Sequence, residues 1–337
     1  MLRSLKHGVR TVLTTCVSPD QLRNYRRQVE CRAKVLQQTY QLRRYGVGYY
    51  NFWSLDSYRD AWLGRFLRRP RLLPYTSQRR IAVLSVFGER EWLDKVMADH
   101  RIFFTGENLD HHSAYADHLF GQVDLSLGFD RLDHPDYLRF PIWLLLCFPP
   151  DADPPALETL LGQWHAARRN VTSRPAMHAS LVARDIANGT RARMADIFAE
   201  AGTVHYGGKF RNPGDAVPPG RHNKHRYIRQ FPFNLCPENS HRDGYVTEKI
   251  FQSIAAGCVP LYTGPPGDLE PGILNEAAIV RYRPGEEDAF RREIREFRDV
   301  PDKLAAYRDM NSFDAAAAAN IYQYYTTLED RLLEMLG

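Results

Sequence analysis

The 337-residue chain is predicted to fold as an α/β protein of two lobes, each a parallel sheet covered by helices. Three observations carry this expectation. From residue 46 onward, short apolar runs alternate with stretches of helical periodicity, the pattern of parallel strands joined by crossover helices. A Pro-rich segment, Phe148-Pro149-Pro150-Asp151-Ala152-Asp153-Pro154-Pro155, reads as a turn-rich linker and interrupts that pattern near the middle. The chain is also long enough for two cores of ordinary size.

Residues 1–45 form a basic arm. Leu22, Tyr25, Val29, Ala33, Leu36 and Tyr40 recur at helical spacing, and Arg23, Arg26, Arg27, Arg32, Lys34, Arg43 and Arg44 fill the other faces. Three readings of this helix stay open: docking on its own domain, self-association, and contact with anionic lipid headgroups. The first lobe covers residues 46–150. Its strands are read at 48–53, 81–86, 101–105 and 124–129, with helices at 58–68 and 89–98. The second lobe covers residues 151–312. It begins with a helix at 157–168, a strand at 178–182, a helix at 190–201 and a strand at 204–206. A Gly/Pro-rich loop at 207–220 and helices at 287–298 and 301–309 follow. Residues 313–337 form a closing helix, with Ile321, Tyr324, Leu328, Leu332 and Met335 at helical spacing.

Residues 231–264 carry the most information. They read FPFNLCPENSHRDGYVTEKIFQSIAAGCVPLYTG. Ile250, Phe251, Ile254 and Ala255 form one helical stripe, and Gly257 ends that helix as a left-handed cap. Residues 259–262 read as a short buried strand. The polar clusters Glu238-Asn239-Ser240 and Tyr245-Val246-Thr247-Glu248-Lys249 therefore sit at the start of a helix packed on a strand. Backbone N–H groups and the positive end of the helix dipole collect there, which suits an anionic ligand such as a diphosphate.

Composition narrows the classes. The formal net charge is +5, yet residues 1–45 hold ten Lys/Arg against two Asp/Glu, so the rest of the chain is slightly negative. No basic reading module emerges, and nucleic acid is not an expected partner. No stretch approaches the ~20 apolar residues of a bilayer span. The N-terminal residues lack the apolar core and cleavage site of a signal peptide. Five cysteines, Cys16, Cys31, Cys147, Cys236 and Cys258, are odd in number and lack a C-x-x-C pair. A reducing, cytoplasmic setting without a disulfide framework or metal site is the expectation, with contact at the inner face of a membrane left open.

Residues 234–240 (NLCPENS) and 244–249 (GYVTEK) closely resemble the donor-site signature of the α1,3/4-fucosyltransferases of glycosyltransferase family 10. Further echoes are Leu127-Gly128-Phe129-Asp130, Tyr137-Leu138-Arg139-Phe140-Pro141, and Gly207-Gly208-Lys209 ahead of Asn212. The resemblance covers residues 47–310, weakest at 47–100 and strongest at 231–264. It implies the GT-B fold, two Rossmann-like lobes with a cleft between them that holds both substrates. Two departures stand out. The first lobe is short between Val86 and Arg101, and residues 1–45 have no counterpart in the family core.

The resemblance also implies roles. Phe103-Phe104-Thr105-Gly106-Glu107-Asn108 matches a Y/F-T-G-E-N block whose glutamate is the general base. Glu107 follows a strand across a glycine, so its carboxylate is expected at a cleft, and a neutral sugar alcohol needs such a base. The family arginine that opens a helix after a buried strand falls at Arg191, with Arg193 as near competitor; it would clamp the diphosphate. Lys249 would place a point charge on the diphosphate, and Glu248 would accept from the ribose hydroxyls. Tyr245 would donate to a phosphate or pack on the sugar, and Glu238 and Asn239 would line the fucose end.

The implied reaction transfers L-fucose from GDP-β-L-fucose to an acceptor glycan with inversion. The usual family outcome is α1,3 attachment to GlcNAc of an N-acetyllactosamine-type unit, as in Lewis antigens; a lipopolysaccharide O-chain suits a cytoplasmic enzyme. No cofactor is required and no metal ligands are read; a divalent cation would at most stimulate product release. Two alternatives remain. One is a GT-B transferase using another nucleotide sugar. The other is a non-catalytic glycan- or nucleotide-binding relative, which needs a broken base or clamp, whereas Glu107, Glu248 and Lys249 are all present. Linkage (α1,3, α1,4 or α1,2) and oligomeric state stay open.

Overall fold

The computed structural model describes residues 18–53, 61–174, 176–184 and 189–337. Two parallel five-stranded sheets form its framework. The first contains β1 (Val47–Tyr50), β2 (Ile81–Leu84), β3 (His100–Phe104), β4 (Leu125–Gly128) and β5 (Tyr137–Arg139), in the order β1-β2-β3-β4-β5. The second contains β6 (His178–Leu181), β7 (Thr203–Tyr206), β8 (Phe233–Pro237), β9 (Val259–Thr263) and β10 (Val280–Arg281), in the order β10-β9-β8-β6-β7. Strands β2, β4, β8 and β9 are buried along their whole length, as expected of sheets covered on both faces. In the second sheet the chain steps from β6 outward to β7, then returns to β8 on the other side. That reversal creates a crevice between the carboxyl ends of β6 and β8.

Helix α1 (Pro19–Tyr45) starts with a capping box, in which Ser18 Oγ accepts from Gln21 N and Gln21 Oε1 accepts from Ser18 N. It ends at Gly46, whose φ of 74° is the left-handed cap. Leu42, 1% exposed, and half-buried Val35 pack with Tyr50 on the first sheet. The stripe identified in the sequence lies elsewhere. Tyr25 is 66% exposed, Val29 48%, Leu36 71% and Tyr40 55%. Docking on the chain's own domain therefore uses a different face from the one the periodicity suggests.

Helices α2 (Trp62–Phe66), α3 (Leu73–Thr76) and α4 (Ile142–Cys147) complete the first lobe. The expected helix at 58–68 is seen only over α2, its first residues lying outside the described set, and residues 90–95 form a 3₁₀ turn rather than an α-helix. The Pro-rich segment runs as bend and turn over residues 148–153 and is anchored to the fold at its apolar residues. Phe148 is 2% exposed, its carbonyl accepts from Trp62 Nε1 at 2.8 Å, and Pro149 O accepts from Tyr325 OH at 3.0 Å. Asp153 then caps α5 (Pro154–Arg168).

The second lobe carries α6 (Thr190–Ala199), α7 (Arg221–Ile228), α8 (Glu248–Ala255), α9 (Glu287–Asp299) and α10 (Lys303–Asp309). The last helix, α11 (Ala317–Leu336), returns to the first lobe. Tyr325 packs edge-on against Trp62 and Phe66, and Glu329 pairs with Arg71 at 3.1 Å. One apolar core consequently runs from Tyr49 and Phe104 through Trp143 and Phe251 to Leu328 and Leu332.

Candidate active site

A slot opens at the crevice between β6 and β8. Leu181, Ala183, Asn234 and Pro237 wall it, and Arg191, Lys224 and Lys249 line it with positive charge. Each cation arrives on a helix. Arg191 lies in the first turn of α6 and is 6% exposed; one of its guanidinium nitrogens donates to Asn239 Oδ1. Arg193, two residues on, instead lies against Tyr282 and Glu287. Lys224 projects from α7, and Lys249 from the first turn of α8.

Glu238 organises the start of α8. Its carboxylate is wholly buried and accepts from Thr247 N (2.8 Å), Thr247 Oγ1 (2.8 and 2.9 Å), Lys249 Nζ (2.6 Å) and Tyr262 OH (3.1 Å). The carboxylate expected at the sugar end of the pocket is thus satisfied by the chain's own donors. With every neighbour a donor, the carboxylate acts as an internal anchor that fixes Lys249. Lys249 Nζ also donates to Thr247 Oγ1 at 3.1 Å, which leaves one ammonium N–H for a ligand. Asn239 is exposed, and its side-chain oxygen serves Arg191.

Electrostatics tie the cluster together. Burial works against the charge of Lys249, but Glu238 and Glu248 outweigh it and raise the pKa. Burial pushes the Glu248 carboxyl up, and Lys249 and Lys224 outweigh it in turn, so Glu248 stays ionised. Lys224 is held below the usual lysine value, chiefly by burial. Tyr245, 2% exposed, stands edge-on to Phe129 of the first lobe with centroids 4.9 Å apart. Burial raises its phenol pKa, so the hydroxyl keeps its proton and can donate a hydrogen bond.

Glu107 faces this group from the first lobe. It follows β3 through a tight turn in which Thr105 Oγ1 accepts from Glu107 N and donates to Glu107 O, both at 3.1 Å. Gly106 is required there, since a Cβ would lie 2.3 Å from Ile142 Cδ1 of α4. Burial raises the pKa of Glu107, Glu248 and Glu238 add to the rise, and Lys249 opposes it. The carboxylate thus senses charges of the other lobe across the cleft. A half-buried carboxylate with a raised pKa opposite a cationic slot is equipped to take a proton from one ligand while an anionic ligand is held nearby.

Two family models match, and they divide the chain as the sheets do. Residues 47–146 match the alpha-(1,3)-fucosyltransferase FucT N-terminal domain, and residues 171–282 match the glycosyltransferase family 10 (fucosyltransferase) C-terminal model. The chain belongs to glycosyltransferase family 10. Glu107 lies within the first match, and Arg191, Lys224, Glu238, Asn239, Tyr245, Glu248 and Lys249 lie within the second. Among curated proteins the chain is similar to the alpha-(1,3)-fucosyltransferase FucT of Helicobacter pylori, at 30% identity over 49% of this chain and 37% of that one. The chain thus matches well under two thirds of that relative's length. Among solved structures it is similar to an α1,3-fucosyltransferase, with a TM-score of 0.54 and 19% identity over 84% of this chain and 89% of that one. A crystal structure of α1,3-fucosyltransferase with GDP-fucose gives 0.51 at 19% identity, over 84% and 90%. At this identity the likeness is one of fold, the GT-B arrangement of two α/β lobes.

Two residues that matter escaped the sequence reading. Lys224 sits in RHNKHRYI, a helix without an apolar stripe that follows a Gly/Pro loop, so nothing in the sequence marked it as ordered. Arg242 lies inside the signature between its two polar blocks, at a position that no motif singled out, yet it reaches across the cleft.

Proposed function

We propose that this family 10 protein moves L-fucose from GDP-β-L-fucose to a hydroxyl of a carbohydrate acceptor, with inversion. The observation that carries the reading is the placement of Glu107, with its raised pKa, opposite a slot lined by Arg191, Lys224 and Lys249. Glu107 takes the acceptor proton as the hydroxyl oxygen attacks the anomeric carbon. The bond to the β-phosphate oxygen breaks, and the charge growing on the departing GDP meets the cations and the first amides of α8. Glu248, kept ionised, accepts from the ribose. Tyr245 packs or donates at the sugar end. No cofactor besides the nucleotide sugar enters this scheme.

A ribbon of rings beside Glu107 supports a glycan as acceptor. Trp53 meets Phe104 and Phe87, with centroids 6.1 and 6.0 Å apart, and Phe87, 44% exposed, meets His112 at 5.9 Å. Partly exposed aromatic faces suit the apolar C–H face of a pyranose. An N-acetyllactosamine-type unit, fucosylated α1,3 on GlcNAc, is the acceptor we infer.

The test is GDP release by purified protein across a panel of nucleotide sugars, with and without N-acetyllactosamine. Acceptor-stimulated release from GDP-fucose alone supports the reading. Release from another donor, or GDP-fucose binding without turnover, rejects it.

We further infer that α1 rests on an anionic membrane surface. Its exposed stripe of Tyr25, Val29, Leu36 and Tyr40 is unused by the body. The helix carries seven Lys/Arg against Asp20 and Glu30, so pairing with a second copy would set like charges together, whereas acidic headgroups complement them. Among the described residues no helix is long and apolar enough to cross a membrane. Co-sedimentation with phosphatidylglycerol-containing vesicles but not pure phosphatidylcholine, lost in Tyr25→Ser/Leu36→Ser, supports this. A concentration-dependent dimer that ignores vesicles overturns it.

A further inference from the structure

Immediately beside the candidate base, Arg242 on the donor-side loop of the second lobe makes that loop's most buried ion pair with the first lobe, the neighbouring Arg131–Asp243 pair (3.4 Å) being exposed. Arg242 Nη1 donates to Asn108 Oδ1 at 3.1 Å and to Asp110 Oδ1 at 2.8 Å, and Nη2 lies 2.8 Å from Asp130 Oδ1. Its guanidinium carbon stands 5.9 Å from the ring centre of Phe129. Asn108 directly follows Glu107, and Asp130 follows the end of β4. On the other side, Tyr245, Glu248 and Lys249 lie three to seven residues beyond Arg242 on the same loop and helix.

Neighbouring contacts make this a seam. Asn108 Nδ2 donates to Ser240 Oγ at 2.8 Å. Gly244 lies against the first lobe at φ 71°, where a Cβ would come within 2.8 Å of Phe129 O. The strength of the seam is concentrated in the pair with Asp130. That carboxylate is 5% exposed, with His118 Nε2 3.3 Å from its second oxygen, whereas Asp110 is 69% exposed and largely screened by solvent.

We propose that Arg242 is a positioning residue, which sets the distance between the Glu107 carboxylate and a donor held in the slot. This rests on the reading of Glu107 as the base. Asn108 is itself the cap of the next turn, its Oδ1 accepting from Asp110 N at 3.0 Å, so Arg242 grips the residue that ends the Glu107 turn. The contact set contains no slot-lining atom. Loss of Arg242 therefore leaves the donor site built and misplaces it relative to the base. Displacements near an ångström cost on the order of 10²-fold in rate.

The test compares Arg242→Gln, Arg242→Lys and Asp130→Asn with the full-length wild type. Arg242→Gln is expected to lower kcat on the order of 10- to 100-fold while the affinity for GDP stays within about threefold. Arg242→Lys, which cannot span three acceptors, recovers part of the rate. In Arg242→Gln/Asp130→Asn the rate falls no further than in Arg242→Gln alone. Hydrogen exchange supplies a readout that needs no activity: protection at residues 105–111 and 240–246 falls in Arg242→Gln and elsewhere stays as in the wild type. Unchanged exchange overturns the proposal. So does kcat within about twofold of the wild type, or GDP affinity lost in step with kcat. A wild type that shows the seam in exchange but no fucosyl transfer rejects the function proposed above and leaves the seam standing. If Arg242→Gln does not fold, Asp130→Asn carries the same readouts.

Discussion

Replacing Glu238 by glutamine separates an internal anchor from a ligand-facing residue. The four groups around this carboxylate, Thr247 N, Thr247 Oγ1, Lys249 Nζ and Tyr262 OH, all donate to it in the native arrangement. A carboxamide keeps one acceptor oxygen and turns an N–H pair toward donors, while Lys249 loses the anion 2.6 Å away. Breaking a buried ion pair by removing one partner costs about 3–5 kcal/mol. Here the lysine side chain keeps 20% of its exposure and the nearby Glu248 charge, so the lower end applies, about 3 kcal/mol. At roughly 2–4 °C per kcal/mol, the melting temperature of Glu238→Gln should fall by about 6–12 °C. GDP affinity, which depends on where Lys249 is held, should weaken by about tenfold. Scanning calorimetry and titration calorimetry with GDP measure the two effects. A variant that melts within about 1 °C of the wild type and binds GDP within about twofold refutes the anchor and returns Glu238 to the sugar pocket.

Glu107→Gln should keep GDP affinity and lose about 10²- to 10⁴-fold in transfer rate, measured with saturating GDP-fucose and acceptor. Because the folded-state pKa of Glu107 is raised and the base must be ionised, activity should fall as pH drops through a point above the usual glutamate range; a rate–pH profile flat across that range contradicts this. Lys224→Met should weaken GDP binding by roughly 1.5 kcal/mol, about tenfold, as read by titration calorimetry. Gly106→Ala should cost about 1–3 kcal/mol of stability by driving a methyl into Ile142, and should lower kcat more than GDP affinity.

Where packing and local pattern agree, the sequence was legible. The buried runs at 81–84 and 259–263 gave their strands, and the stripe Ile250, Phe251 and Ile254 gave α8 with its left-handed Gly257. Other parts were not. Residues 142–147 are a short apolar run, which is as compatible with a strand as with the helix α4 that forms. The periodicity of α1 revealed a helix but not which face meets the body, because Val35 and Leu42 dock beside the longer apolar stripe. Within the site, residue type fails to separate roles. Glu238 and Glu248 are alike in sequence, and only burial tells that the first is satisfied by Thr247 and Tyr262 while the second borders the slot cations. Lys224 and Arg242 reach their partners through the tertiary fold, from a polar helix and from across a cleft, so no local signal marks them.

The return of α11 to the first lobe makes the second sheet an insertion. Backbone passes between the halves twice, once near residues 148–153 and again near 313–316, and both passages are pinned into the shared core by Phe148 and Phe313. A body held at two points can swing about the line joining them but cannot twist freely. Any widening of the cleft is then a door-like motion, with its free edge where Arg242 meets Asp130. Trimming the chain before residue 313 removes one pin, Phe313, along with Tyr325, Leu328 and Leu332. The door is then left hanging on a single point, with an apolar trough open along the first lobe.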